Sequence, residues 1–265
     1  MTIGITRNAL FRNLADSEYV VADVETTGLD PNEDRVVEFS LVRFVRGLPK
    51  ARLSALVDPQ MAIPPTASAV HALTNRHVSG RPSLEDYADD IRDFAGDTPV
   101  IAHNAEFDRQ YLPMLDESMW ICSLRLARRL WPDAPRYSNQ VLRYWLNLDD
   151  EYDLTAGASH RAEADAVVTG HLFALELDLL NLGSDVETMS KVADVCWAPI
   201  PVERFAYGKK YRGAKIDGLP IDYIRWVDSE QKKPDDERKL MIDADTHAAL
   251  KAEMNARKAA LLRAS

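Results

Sequence analysis

Tyr19-Val20-Val21-Ala22-Asp23-Val24-Glu25-Thr26-Thr27-Gly28-Leu29-Asp30-Pro31 runs from an apolar, β-branched segment into a Gly-Leu-Asp-Pro turn. That is the pattern of a buried strand with a sharp end. Residues i and i+2 of a strand face the same way, so Asp23 and Glu25 emerge together at its tip. Two like charges a few ångströms apart repel unless a cation lies between them. Taken alone, the pair could equally be one acid capping the turn and one in solvent.

Outward from this strand, Val36 to Val45 and Ala51 to Val57 read as two more, joined through Arg46-Gly47-Leu48-Pro49. Pro99 to Ala102 and Trp120 to Cys122 add two short apolar strands. Helices are expected from Ser83 to about Ala95, from about Ala105, near 123–131 and 138–146, and from about 161 to 180. Hairpin-like strands followed by alternating helices and strands imply an α/β domain: a mixed five-stranded sheet flanked by helices. Asn181-Leu182-Gly183-Ser184-Asp185 is the candidate boundary. It divides the chain into an N-terminal extension (1–16), a main domain (17–182) and a small C-terminal module with a helical tail (183–265).

The chain has 265 residues, 32 basic and 42 acidic, a net charge of −10. Residues 1–180 carry −11 and residues 181–265 carry +1, so the two portions differ electrostatically. The acidic balance argues against a protein that coats duplex DNA with a broad basic face. No apolar run is long enough for a membrane span or a secretory signal. Cys122 and Cys196 are the only cysteines, which excludes a disulfide framework or zinc cluster; the expected compartment is the cytoplasm.

Two further segments carry acids in structured positions. Ala102-His103-Asn104-Ala105-Glu106-Phe107-Asp108 sets Asp108 in the first turn of a helix, where its charge also favours the positive helix end. Ser159-His160-Arg161-Ala162-Glu163-Ala164-Asp165 sets His160 just ahead of the long helix and Asp165 in its first turns. Four carboxylates converging on one cleft destabilise a fold unless cations offset them. All-oxygen ligands select hard ions, so two Mg²⁺ or Mn²⁺ ions are implied, with Asp23, Glu25, Asp108 and Asp165 as ligands. Such a pair suits in-line phosphoryl displacement, and imidazole, which titrates nearest neutrality, makes His160 the candidate general base.

Asp-Val-Glu-Thr-Thr-Gly-Leu-Asp, His-Asn-Ala-Glu-Phe-Asp and His-Arg-Ala-Glu-Ala-Asp, in this order, resemble the three motifs of the DEDDh (DnaQ-like) superfamily of 3′–5′ exonucleases. The resemblance implies an RNase H-like fold and hydrolysis from a nucleic-acid 3′ end. It assigns metal binding to the four acids and the base role to His160. It also places Thr26 and Thr27, and the Val70-His71 pair, at the terminal nucleotide, with Ala72 standing where the family has glycine. Phe107 either stacks under a base or packs in the core. His103 and Asn104 either orient Asp108 or a phosphate, or serve the helix as a cap.

Trp120 to Pro132, Arg136 to Asn139, Phe205 to Gly213 and Tyr223 to Trp226 are similar to the exodeoxyribonuclease X branch of that superfamily. This favours a stand-alone exodeoxyribonuclease that releases nucleoside monophosphates from DNA 3′ ends in repair. The alternatives are an RNA-trimming exoribonuclease and a polymerase-associated proofreading or binding subunit. In the C-terminal module, Lys209, Lys210 and Arg212 interleave with Tyr207 and Tyr211, a composition that suits either a single-strand platform or an ordinary solvated hairpin. Arg125, Arg128 and Arg129 face phosphate or form a charged outer stripe.

Overall fold

The apolar stretch from Tyr19 becomes β1 (Glu18–Thr26), the central strand of a five-stranded sheet ordered β3-β2-β1-β4-β5. The computed structural model describes residues 14, 17–151, 154, 160–181, 186–234 and 237–264; all of the expected N-terminal extension except Leu14 lies outside them. β2 (Val36–Val45) pairs antiparallel with β1 and with β3 (Leu48–Leu56). β4 (Val100–Ala102) and β5 (Trp120–Cys122) continue parallel to β1. The mixed five-stranded sheet follows the sequence expectation. β3 starts earlier than expected, because the β2–β3 turn needs only Arg46-Gly47 and Leu48 already pairs with Val45.

Two short helices precede β4 that the sequence pattern did not announce: α1 (Pro65–His71) and α2 (Asn75–Val78). α1 opens with proline at its first turn and ends on Ala72, which takes the left-handed conformation (φ 60°) that glycine adopts more readily. α3 (Ala88–Ala95) follows a 3₁₀ turn, Glu85–Tyr87, rather than beginning at Ser83. The Ser83 hydroxyl and amide both bond to Asp86 and shape that turn. α4 (Ala105–Tyr111), α5 (Ser123–Leu130), α6 (Asn139–Trp145) and α7 (Leu148–Glu151) come next.

The long helix α8 (Ala162–Leu180) is buried around much of its circumference and lies across β1 and β2. Its close approach depends on Gly170, where a Cβ would overlap the Phe44 ring. The Tyr19 hydroxyl donates to the Gly170 carbonyl at 2.9 Å, while the Tyr19 ring stacks on Phe44 and meets Phe173 edge-on. Full burial of each of these rings contributes roughly 1.5–3 kcal/mol, so the β1–α8 contact is a principal anchor for whatever β1 and α8 carry at their ends.

The chain divides into two compact units, the first ending at Trp197 and the second starting at Ala198. The expected boundary near 182 therefore shifts. α9 (Val186–Trp197) belongs to the first unit because Met189, Val192 and Cys196 enter its core beside β5. The second unit has its own core of Phe205, Ile216, Leu219, Ile224, Val227 and Leu250. It contains a loop closed by an Arg204–Lys215 bridge, then α10 (Ile221–Glu230) and α11 (Ala244–Ala264). The tail helix begins at Ala244: Asp243 Oδ1 accepts the Thr246 amide at 2.6 Å and stops the helix from extending backwards. No helix among the described residues is long and apolar enough to cross a membrane.

Candidate active site

β1 delivers Asp23 and Glu25 from its C-terminal end, next to a register shift between Glu25 and Thr26. Parallel pairing of β4 brings the start of α4, and with it Asp108, to the same end of the sheet. α8 brings Asp165. Asp23, Glu25, Asp108, Asp165 and His160 all line one cavity of about 710 Å³. His103, Asn104 and Phe107 share that lining. Thr26, Thr27, Val70 and His71 do not.

The carboxylates are held by backbone and amide donors. Asp108 Oδ1 accepts the Val24 amide at 3.3 Å. Asp165 Oδ2 accepts the His160 amide at 2.8 Å and its Oδ1 accepts Gln140 Nε2 at 2.6 Å. His160 itself is exposed and takes φ 60°, so its backbone serves Asp165 while its ring remains at the cavity. Arg161 forks onto buried Glu38 through Nε and Nη2, at 2.9 and 2.6 Å, and Glu38 also accepts the Ala162 amide. This pair fastens the start of α8 to β2, where Glu38 faces Glu25 across the strands.

Burial and mutual repulsion disfavour ionisation of these acids. Burial and then the charges of Asp108, Asp165 and Glu25 push Asp23 well above the carboxylate range. Burial, followed by Asp165 and Glu38, pushes Glu25 up to about 8. Burial raises Asp108 to about 7 and raises Asp165 against the opposing hydrogen bonds. None of the four has an Lys or Arg ion-pair partner among the described residues. Their oxygens therefore match a hard divalent cation in donor type and in the counter-charge the site lacks. Among the described residues, no group of three or more acidic, His or Cys side chains is set to hold a metal ion as it stands. The fit lies in chemistry and charge, not in a finished cage.

Several contacts differ from expectation. His103 does not orient Asp108: its Nε2 donates to the Tyr137 carbonyl at 2.7 Å and its Nδ1 lies 3.3 Å from Ser123 Oγ. Ser123 in turn bonds Glu176 Oε1 at 3.0 Å. Desolvation pushes His103 down to about 4 and pushes Glu176 well above the carboxylate range, so burial disfavours charge on both. Asn104 occupies the N-cap position of α4 with φ 101° but makes no side-chain cap bond. Phe107 is half-buried against Tyr111, as a packing ring is, and also lines the cavity. The Thr26 and Thr27 hydroxyls are spent within the turn, on the Gly28 carbonyl and on Asp34. His71 Nδ1 accepts the Leu73 amide, and Val70 is exposed.

The sequence did not single out Asn139, Gln140 or Arg143. Asn139 donates to the Asp165 carbonyl and to Thr169, and Arg143 bridges Asp149, the Leu154 carbonyl and Gln140 Oε1. That chain points the Gln140 amide at Asp165. Of the three arginines on α5, Arg125 turns to the Cys196 carbonyl, whereas Arg128 lines the cavity over the Tyr137 ring. Arg136 lines it too, and neither Arg128 nor Arg136 pairs with an acid among the described residues. Cys122 and Cys196 are buried free thiols.

Comparison with known proteins agrees with this arrangement. The Exonuclease family (RNase T type) matches residues 20–173. Exodeoxyribonuclease 10 of Escherichia coli K12 is 34% identical over 212 residues, 78% of this chain and 89% of that protein. DNA polymerase III subunit epsilon of Aquifex aeolicus is 29% identical over 176 residues, 63% of this chain and 84% of its own. The solved structure of exonuclease X in complex with 5′-overhanging duplex DNA superposes with a TM-score of 0.54 at 34% identity, over 66% of this chain and 99% of that one. Exonuclease I from Methylocaldum szegediense shares the fold at 18% identity and TM-score 0.51, covering 69% of this chain and 43% of its own. With its RNase H-like sheet, its acid-lined cavity and a match across more than half its length, the chain belongs to the exonuclease family.

Proposed function

We propose that the protein is a 3′–5′ exodeoxyribonuclease that releases nucleoside monophosphates from single-stranded or frayed DNA 3′ ends in repair. The observation that carries the reading is the convergence of Asp23, Glu25, Asp108 and Asp165, with His160, on one cavity, none of the four acids holding a Lys or Arg ion pair among the described residues. Support for DNA comes from the 34% identity to exodeoxyribonuclease 10 and from the DNA-bound exonuclease X.

The exonuclease family is generally dependent on divalent metals. The four carboxylates would hold two Mg²⁺ or Mn²⁺ ions, which when bound supply an activated water and counter-charge for the leaving oxygen. The chain's own residues do the rest. His160, exposed at the cavity edge, takes the proton of the attacking water and passes it to solvent. Gln140 and the His160 amide fix both Asp165 oxygens, and the Val24 amide fixes Asp108. Arg128 and Arg136, which line the same cavity, would meet the strand's phosphates, and Phe107 offers a ring for the terminal base.

The test uses DNA labelled at its 5′ end, beside RNA of the same sequence. A Mg²⁺-dependent ladder of shortened 5′-labelled DNA with mononucleotide release is expected. A ladder on RNA alone would replace the reading with 3′ trimming of RNA, and internal cuts would exclude an exonuclease.

A further inference from the structure

We propose that the second unit is a binding site for single-stranded nucleic acid: an aromatic row of Tyr211, Tyr223 and Trp226 edged by the unpaired cations Lys209 and Lys210. The proposal deepens the exonuclease reading by giving this unit the task of holding the strand.

The row is built by two elements. α10 sets Tyr223 and Trp226 three residues apart, on one face, with ring centroids 5.4 Å apart and planes 32° apart. The bridged loop brings Tyr211 to 4.5 Å from Tyr223. Buried Phe205 supports the row edge-on beneath Tyr223 and Tyr207. Gly208, at φ 65°, takes the left-handed conformation that glycine adopts without strain, and it leads into the Lys209-Lys210 turn. Lys210 Nζ stands 5.1 Å over the Tyr211 ring. Trp226 is 38% exposed, which leaves part of its ring open to a ligand.

Charge selects the ligand. Residues 198–265 carry +3 against −13 for residues 1–197, and the loop from Arg204 to Lys215 has five cations and no acid. Elsewhere in the unit, Arg225, Lys232, Lys233 and Arg257 each hold an acid partner. Lys209, Lys210 and Lys215 have none among the described residues. Arg212 and Arg204 spend hydrogen bonds on the loop's own carbonyls, of Ala206 and Gly213, so they brace the platform more than they face a ligand. Free cations beside partly open aromatic faces are what a phosphate chain with unstacked bases recognises, and stacking needs no particular sequence.

The experiment measures binding of the full-length protein, in EDTA, to a fluorescent single-stranded DNA of about 20 nucleotides across a range of salt. Lys209→Ala/Lys210→Ala should reduce the slope of log K against log[salt] by about 1.4, two contacts at ~0.7 each for a single strand. Trp226→Ala should weaken binding about tenfold, and Trp226→Phe should restore most of it. Lys251→Ala/Lys258→Ala, two exposed cations on α11, should keep the wild-type slope. Equal slope changes for both lysine pairs would reduce the effect to bulk charge and overturn the proposal. So would an unchanged slope for Lys209→Ala/Lys210→Ala, or full affinity in Trp226→Ala. Cleavage of a trinucleotide by the wild-type protein with Mg²⁺ reads the active site separately, so failure there would remove the exonuclease reading and leave the binding result intact.

Discussion

Replacing Glu25 by glutamine should stabilise the metal-free protein, the opposite of what removing an active-site residue usually suggests. Glu25 has an ordinary value of 4.5 in the unfolded chain and about 8 in the folded one. The folded state thus holds a proton that the unfolded state has lost between those values, and stability falls as pH rises through that window. Below pH 4.5 both states are protonated and nothing is lost; above 8 the loss is complete. At pH 7 the gap of 2.5 pH units above 4.5 corresponds to roughly 3 kcal/mol, at about 1.36 kcal/mol per unit. Glutamine keeps the shape without titrating. In EDTA at pH 7 its Tm should rise by roughly 6–12 °C, taking about 2–4 °C per kcal/mol at this size. The gain should fall to less than about 1 kcal/mol at pH 5. Adding Mg²⁺ should reverse the order, since the wild type gains binding energy that the variant forfeits. Calorimetric melts at pH 5, 7 and 8.5 with and without Mg²⁺ read all of this. A Glu25→Gln protein that melts below wild type in EDTA at pH 7, or a gain independent of pH, would refute the argument.

Arg161→Ala should cost about 1–3 kcal/mol in urea denaturation, because Glu38 is left buried with only the Ala162 amide; adding Glu38→Gln should return much of the loss. Gln140→Ala should weaken Mg²⁺ binding by about 10–100-fold in a metal titration while the melting temperature changes little, since it releases an Asp165 oxygen from its orientation. Arg128→Ala and Arg136→Ala should each raise KM about tenfold or more at nearly constant kcat, as loss of a charged contact to phosphate does.

The parts of this molecule that depend on local pattern were legible. β1 declares itself by its β-branched run, and period-two geometry alone aims Asp23 and Glu25 together. The order of Asp108 and Asp165 along helix starts completed the cluster. What escaped depends on how distant pieces dock. Gln140 reaches Asp165 only because α6 packs on α8, and nothing near Ser138-Asn139-Gln140 in sequence marks that. The Ser123–Glu176 bond spans 53 residues and gives His103 a different partner from the nearby Asp108. Thr26 and Thr27 looked like substrate contacts because they follow the acids, yet the turn that ends β1 needs their hydroxyls. The domain boundary moved because α9, past the polar Gly-Ser-Asp stretch, still carries three core residues for the first unit.

The central claim is that the acid cluster at the end of β1 performs metal-dependent hydrolysis. Its most direct test is single-turnover cleavage of 5′-labelled single-stranded DNA by wild type and Asp23→Asn, with Mg²⁺ and with EDTA, beside circular dichroism of both proteins. The account predicts a ladder for wild type with Mg²⁺ only, and none for an Asp23→Asn protein that is folded like wild type. A folded Asp23→Asn protein that still shortens DNA, or wild-type cleavage that persists in EDTA, would contradict it.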